Sequence, residues 1–206
     1  MMTELVTKAR NLFFSYGLKS VSMDDLARMS CTSKKTIYQH VADKNELVDR
    51  VVEDLIRCHK EAMDQSGEAA KDAVHELVLK SRVPFVTLAS INWNFFYELE
   101  KFFPAAWQKL IAHRQQVMLP SIIKNLQRGV AEGLYREDLD TQFAALIRLQ
   151  QITTALNPKD FTQTTTDALK LMNSLTEFYL HGIVTTKGKR LINTYLKNNN
   201  EDGFSK

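Results

Sequence analysis

Apolar residues fall at three- and four-residue intervals along almost the whole of this chain, and that period suits one kind of backbone. Leu5, Ala9, Leu12, Phe13 and Tyr16 mark one face of a helix that should end near Gly17, a residue that tolerates the positive φ of a helix stop. Met23, Leu26 and Ala27 mark the inner face of a second, short helix. Ser22 can cap it, and its first turn carries Asp24 and Asp25 against the helix dipole. A third helix of about two turns is expected over residues 33–41. A fourth starts with the capping box of Asp43 and Glu46 and carries Leu47, Val48, Val51, Val52, Leu55 and Ile56. The pattern breaks around Ser66-Gly67. Helices are then predicted over roughly 68–89, 92–102, 105–132, 140–156, 164–182 and 188–197, punctuated by Pro84, Pro104, Pro120, Gly133, Asn157-Pro158 and Gly182. Pro104 fits a first helical turn, whereas Pro120 lies inside a helical pattern and predicts a kink. There is no strand-like alternation of useful length and no internal repeat. Only seven glycines and four prolines occur in 206 residues. The expected fold class is all-α.

Charge and motif content narrow the function. A net charge of +3 is mildly basic, so a polyanionic partner requires positive charge concentrated in one place. Cys31 and Cys58 are too few for a disulfide framework and point to a reducing compartment. The N-terminus carries Glu4 and no apolar signal core, and the longest uncharged run, 83–97, contains Pro84, Asn92 and Asn94 and is too short to span a bilayer. A cytoplasmic location with no membrane partner is expected. Glu-x-x-His pairs, a glycine-rich phosphate loop and a G-x-S-x-G are all lacking. Cys58 and His59 are adjacent, so on a helix they point about 100° apart. No catalysis, cofactor or metal is expected.

The stretch "SKKTIYQHV", residues 33–41, concentrates hydrogen-bonding groups on a short helix. With Ile37 facing the core, Val41 falls about 40° away, while Lys35 and Gln39 lie roughly 160° and 200° round, pointing outward. Thr36 and Tyr38 flank them. Lysine can donate to guanine O6 and N7, and glutamine can pair with adenine through two hydrogen bonds. The hydroxyls suit phosphate oxygens. Lys44, in the first turn of the next helix, opposes the helix dipole unless a phosphate lies beside it. Ser22 offers a weaker anion contact. "DDLARMS-CT-SKKTIYQHV" has the spacing of a helix-turn-helix. The plain alternative is a solvated surface helix of an ordinary bundle.

In sequence order, Leu26-Ala27, the tight turn, Ser33-Lys34-Lys35-Thr36-Ile37-Tyr38-Gln39-His40-Val41, Lys44 and Glu46-Leu47-Val48 resemble the DNA-binding domain of the TetR family of bacterial transcriptional regulators over residues 3 to about 56. The resemblance implies base contacts by Lys34, Lys35, Thr36 and Gln39, and phosphate contacts by Ser22, Thr36, Tyr38, His40 and Lys44. Phe13, Leu26, Ala27, Ile37 and Val41 would be core. The chain departs from the family pattern at Cys31, where glycine is usual, at Thr32, and at Val41. Cys31 in a turn that often takes positive φ implies modest strain or an altered turn.

The expected organisation is an N-terminal three-helix helix-turn-helix DNA-binding domain over 1–50 and a helical bundle for dimerisation and ligand binding over 51–197. A helix over 44–65 would connect them, and a disordered tail over 198–206 would follow. The helix at 140–156 is apolar on more than one side, and that at 164–182 carries a long apolar stripe, so together they are the expected homodimer surface. Leu149, Ile152, Leu171, Leu175 and Phe178 represent it. Aromatic residues crowd "INWNFFYELEKFFPAAWQKL". By resemblance, this central region would hold a small-molecule effector among Trp93, Phe96, Tyr97, Phe103, Trp107 and His113, although aromatics at this spacing also suit plain core. The expected function is a homodimeric, sequence-specific regulator of double-stranded DNA with an inverted-repeat operator, a repressor released by an effector. The alternative is an effector-independent helical DNA-binding or interaction protein.

Overall fold

The computed structural model describes residues 2–156 and 167–197. They form eleven α-helices and no β-strand. The expected disordered tail at 198–206 and the Asn157-Pro158 boundary lie outside the described residues.

The chain divides into two compact units. The first runs to His59 and takes in Ala89–His113. It holds α1 (Met2–Tyr16), α2 (Met23–Met29), α3 (Lys34–Tyr38), the start of α4 (Lys44–Glu68), α6 (Trp93–Phe102) and α7 (Pro104–His113). Its core follows the apolar stripe read from the sequence: Ala9, Phe13, Leu26, Ile37, Leu47, Val48, Val51 and Val52 are all essentially removed from solvent, and Leu18, just beyond α1, joins them. The sequence pattern groups residues 89–113 with the regulatory region, but their contacts lie with the first helices. Phe95 packs edge-on to Phe14 at 5.0 Å. The Asn92 N–H donates to the Phe14 carbonyl at 2.8 Å, and the Lys19 N–H donates to the Glu98 carboxylate at 2.8 Å.

The second unit comprises Lys60–Leu88 and the chain from Arg114 onward. It contains the end of α4, α5 (Ala73–Ala89, all but its last residue), a π-helical turn (Arg114–Met118), α8 (Leu119–Ala131), α9 (Thr141–Leu156), α10 (Ala168–Ile183) and α11 (Thr186–Lys197). Its main core joins Val74, Val78, Leu126, Tyr135, Ala145, Leu180 and Ile192.

Two boundaries differ from the sequence reading, each for a local reason. The break expected at Ser66-Gly67 falls later, after Glu68. Ser66 is buried there, and its hydroxyl donates to the Ala62 carbonyl at 2.7 Å, so the helix continues through it. Pro84 lies inside α5, as the helix predicted over 68–89 has it, and is buried there. Pro120 stands in the first turn of α8, directly after the π turn. A proline there has no N–H for the carbonyl of Gln116, and a widened turn accommodates the missing bond. The Asp43 cap accepts from the Glu46 N–H at 2.8 Å, but the Glu46 carboxylate closes on the Ala42 N–H, at 2.7 Å, one residue before the cap. Among the described residues no helix is long and apolar enough to cross a membrane.

Candidate nucleic-acid interface

The reading head is built from caps. The Ser22 hydroxyl accepts from the Asp25 N–H at 3.1 Å while the Asp25 carboxylate accepts from the Ser22 N–H at 3.0 Å, a reciprocal capping box that starts α2. The same hydroxyl donates to Asp25 at 2.6 Å. At the other end of α2 the Thr32 N–H reaches back to the Ala27 carbonyl at 3.0 Å and the Cys31 N–H to that of Arg28 at 3.2 Å. These are the two bonds of a Schellman stop, which requires a left-handed residue at position 31. Cys31 takes that conformation, with φ of 51°, at a cost of about 1 kcal/mol. The turn is therefore kept and the residue is strained.

Ser33 caps α3, accepting from the Thr36 N–H at 3.0 Å, and the two hydroxyls lie 2.7 Å apart. The helix proper is five residues long. Tight backbone bonds continue it, from His40 N–H to Ile37 at 2.9 Å and from Val41 N–H to Ile37 at 3.1 Å. Ile37 and Val41 are buried as the period requires, which turns the opposite side outward.

On that side Lys34, Lys35, Tyr38 and Gln39 are exposed. Lys34 is held 3.0 Å from Asp24 of α2, an ion pair in solvent that a DNA phosphate or base can displace. Thr36 and His40 are half-buried, and the His40 Nε2 is enclosed without a hydrogen-bond partner. Ser22 is exposed but engaged in its cap. Lys44 turns inward. Its ammonium donates to the carbonyls of Leu18 at 2.5 Å and Val21 at 2.6 Å and lies 5.8 Å from the Phe13 ring centroid. Burial holds it below the usual lysine range. Two of its three donors tie the α1–α2 connection to the start of α4, a role that the residue's charge and position in the sequence do not reveal.

The aromatic set is scattered. Trp93, Phe96, Phe103 and Trp107 are half-buried, and Tyr97 is exposed beside Trp93, with 5.5 Å between centroids. His113 is buried, its Nε2 3.0 Å from the Nδ1 of His59. Of the five residues taken to represent the dimer surface, Leu149 and Leu171 are buried in the second unit's own core, at 7% and 4% exposure. Ile152 and Leu175 are half-buried. Phe178 is 77% exposed. The outward apolar residues of α9 are instead Phe143, Leu146 and Ile147, which the helical period could not separate from the inward ones because α9 is apolar on two sides. Among the described residues no group of three or more His, Cys, Asp or Glu side chains is placed to hold a metal.

Residues 5–51 match the family model for bacterial regulatory proteins of the tetR family. An uncharacterized HTH-type transcriptional regulator of Bacillus subtilis, YhgD, is 24% identical over 153 residues, spanning 73% of this chain and 78% of its own. Among solved structures, a TetR transcriptional regulator from Chloroflexus aurantiacus superposes with a TM-score of 0.73 at 18% identity, over 90% of this chain and 96% of that one. SmeT, described as the repressor of the Stenotrophomonas maltophilia multidrug efflux pump SmeDEF, superposes at 0.69 and 15% identity, over 90% and 91%. These relatives are regulators rather than enzymes. With the family's model on residues 5–51 and the all-α fold of such regulators along its length, the chain carries the DNA-binding domain of the tetR family of bacterial regulatory proteins and is a DNA-binding transcriptional regulator.

Proposed function

We propose that this regulator is a homodimeric repressor that reads an inverted-repeat operator in the cytoplasm and leaves it when a small-molecule effector binds. The observation that carries the reading is the exposed side of α3. Lys34, Lys35, Tyr38 and Gln39 project from a helix whose inner residues, Ile37 and Val41, are anchored in the core. Lys35 and Gln39 are suited to base edges, with Lys34 able to leave Asp24 for the DNA. Tyr38 is suited to phosphate, with Thr36, His40, Ser22 and the remaining donor of Lys44 at the rim.

One short recognition helix supplies little affinity, so two heads on a two-fold axis are needed. The apolar surface of α9 and α10 is suited to bring them together. The Tyr179 hydroxyl donates to the Ala144 carbonyl at 2.9 Å, so their exposed sequence neighbours Phe178 and Phe143 stand on adjacent helices. Residues 1–50 would then read DNA and 51–197 would regulate, with α4 belonging to both. An effector bound to the regulatory helices would favour dimers whose heads are wrongly spaced for successive major grooves. The half-buried Trp93, Phe96, Phe103 and Trp107, with the exposed Tyr97 and the buried His113, offer it apolar contact.

Selection of the purified protein on a random duplex library at near-physiological salt tests the reading. An enriched inverted repeat is expected. Retention without a motif would favour an effector-independent, sequence-indifferent binder, and no retention would defeat the assignment of α3.

A further inference from the structure

Inside the second unit sits a positive charge with no negative partner among the described residues. Arg148, on α9, is 3% exposed. Its guanidinium donates to Ser81 Oγ of α5 at 2.5 Å, to Thr176 Oγ1 of α10 at 2.8 Å and to Gln151 Oε1 at 3.1 Å, and it lies 5.3 Å from the Tyr179 ring centroid. Every one of these groups is neutral. The hydroxyls of Ser81 and Thr176 give their own protons to the carbonyls of Leu77 and Met172, each at 2.6 Å, so towards the arginine they act only as acceptors. Among the described residues no carboxylate comes within 4.0 Å of the guanidinium. Burial pushes its pKa down to about 10, so at neutral pH it keeps its charge.

The same unit shows how another buried charge is compensated. Glu76, 8% exposed, is met by Lys80 at 2.6 Å, Arg128 at 3.2 Å and Asn125 at 3.1 Å. Arg148 has no such compensation. A neutral side chain of similar length could fill its space without the desolvation cost of an unpaired cation. A polar partner from outside the described residues would account for keeping it.

The surroundings indicate what else that partner carries. Ile152 lies one helical turn beyond Arg148 on the same side of α9. With Leu149 it joins Met63, Met118 and Ile122 in a small apolar cluster that meets the main core of the unit through Leu119 and Ile122. Methionines are unbranched and adapt to irregular shapes, which suits a cluster that must admit a guest. One stretch of α9 therefore runs from a guanidinium to a methionine-lined apolar region. Gln151, the half-buried member of the arginine's polar set, is the partner most readily exchanged.

We propose that the second unit binds an amphipathic organic anion, its carboxylate or phosphate paired with Arg148 and its apolar body among Met63, Met118, Leu149 and Ile152. The site rests on the reading of this chain as an effector-responsive regulator, supplies the chemical class of the effector, and places it in the second unit rather than on the aromatic residues of 93–113 in the first. The oxyanion replaces Gln151 on the guanidinium and forms the two parallel charge-assisted bonds that arginine's planar fork favours.

The test is calorimetric titration of the full-length protein with dodecanoate, dodecyl phosphate and dodecanol, each below its aggregation limit. One of the two acids, or both, is expected to bind at one site per chain about ten-fold or more tighter than the alcohol. Preference for the carboxylate over the phosphate, or the reverse, identifies the head group. Arg148→Met, which keeps the bulk and removes the charge, is expected to abolish the preference for acid, and Arg148→Lys to retain part of it. Equal binding of acid and alcohol by the wild type overturns the proposal, as does an acid preference that survives in Arg148→Met. If Arg148→Met does not fold, the wild-type comparison and Arg148→Lys still decide. Retention on the selected operator, measured with and without each acid, separates this site from the effector reading. Arg148-dependent binding that leaves the DNA held supports the site and ends the effector role. Release by an uncharged ligand, with no preference for acids, keeps the effector role and ends the site.

Discussion

Acidification should destabilise the first unit through a single buried contact. His59 and His113 are 8% and 7% exposed, with Nδ1 of the first 3.0 Å from Nε2 of the second and their rings edge to face at 5.1 Å. One hydrogen fits between those two nitrogens. Burial, and after it the neighbouring His113, holds His59 down from 6.5 to about 4. In the unfolded chain the same imidazole protonates near 6.5. The contribution to stability is therefore fully present above pH 6.5 and is lost as the pH falls towards about 4. At about pH 5 the two titration curves differ by roughly 2 kcal/mol of folding free energy. The measurement is urea unfolding at about pH 7.5 and pH 5, followed by tryptophan fluorescence; both tryptophans, Trp93 and Trp107, lie in the first unit. His59→Asn is the control, because its amide nitrogen stands near the position of Nδ1 and does not titrate. Carboxylates titrate in both proteins and cancel in the comparison. The wild type should lose about 2 kcal/mol more than His59→Asn over this interval. Equal losses would refute the linkage.

Four other outcomes are expected. Gly129→Ala would place a methyl group 2.0 Å from the ring of Tyr135, which is fully buried. The clash should cost about 3 kcal/mol, outweighing the gain in helix propensity of about 1 kcal/mol, and a thermal melt as high as the wild type's would contradict it. Cys31→Gly should raise stability by about 0.5–1 kcal/mol in chemical denaturation by relieving the left-handed turn, and a loss of stability would show that the cysteine makes contacts of its own. Lys35→Ala and Gln39→Ala should each relax base preference at one operator position by about 1–3 kcal/mol in competition binding; intact affinity and specificity in both would mean that α3 does not read bases. Replacing both Phe143 and Phe178 with lysine should yield monomers in sedimentation equilibrium, and an unchanged assembly state would remove the α9–α10 surface from the dimer.

The local features of the reading head were legible because their causes lie within a few residues. The stop at Gly17, the cap at Ser22, the left-handed turn at Cys31 and the inward Ile37 and Val41 all follow from helix ends that need partners and from a period of three and four. Spacing also placed Lys35 and Gln39 outward. Lys44 was not legible in the same way. Its charge and its position in a first turn suggest an anion, whereas its actual partners are two carbonyls 26 and 23 residues earlier in the chain. Pattern alone could not foresee that the loop after α1 returns to that point.

Beyond the reading head, the sequence by itself determined that the chain is helical and approximately where most of its helices begin and end. Tertiary structure decided which sides of those helices face inward and which helices pack together. α9 shows why: with apolar residues on two sides, its period allows either side to be core, and only the packing of α5, α8 and α10 buries Arg148 and Leu149 and leaves Phe143 and Ile147 in solvent. A buried arginine reads as a surface residue in any sequence pattern, and the aromatic run of α6 gives no sign that Phe95 meets Phe14, 81 residues away in the chain. Hydrogen bonds within a helix are made between near neighbours and are written in local sequence. Burial is a relation between distant segments, so only the folded chain decides it.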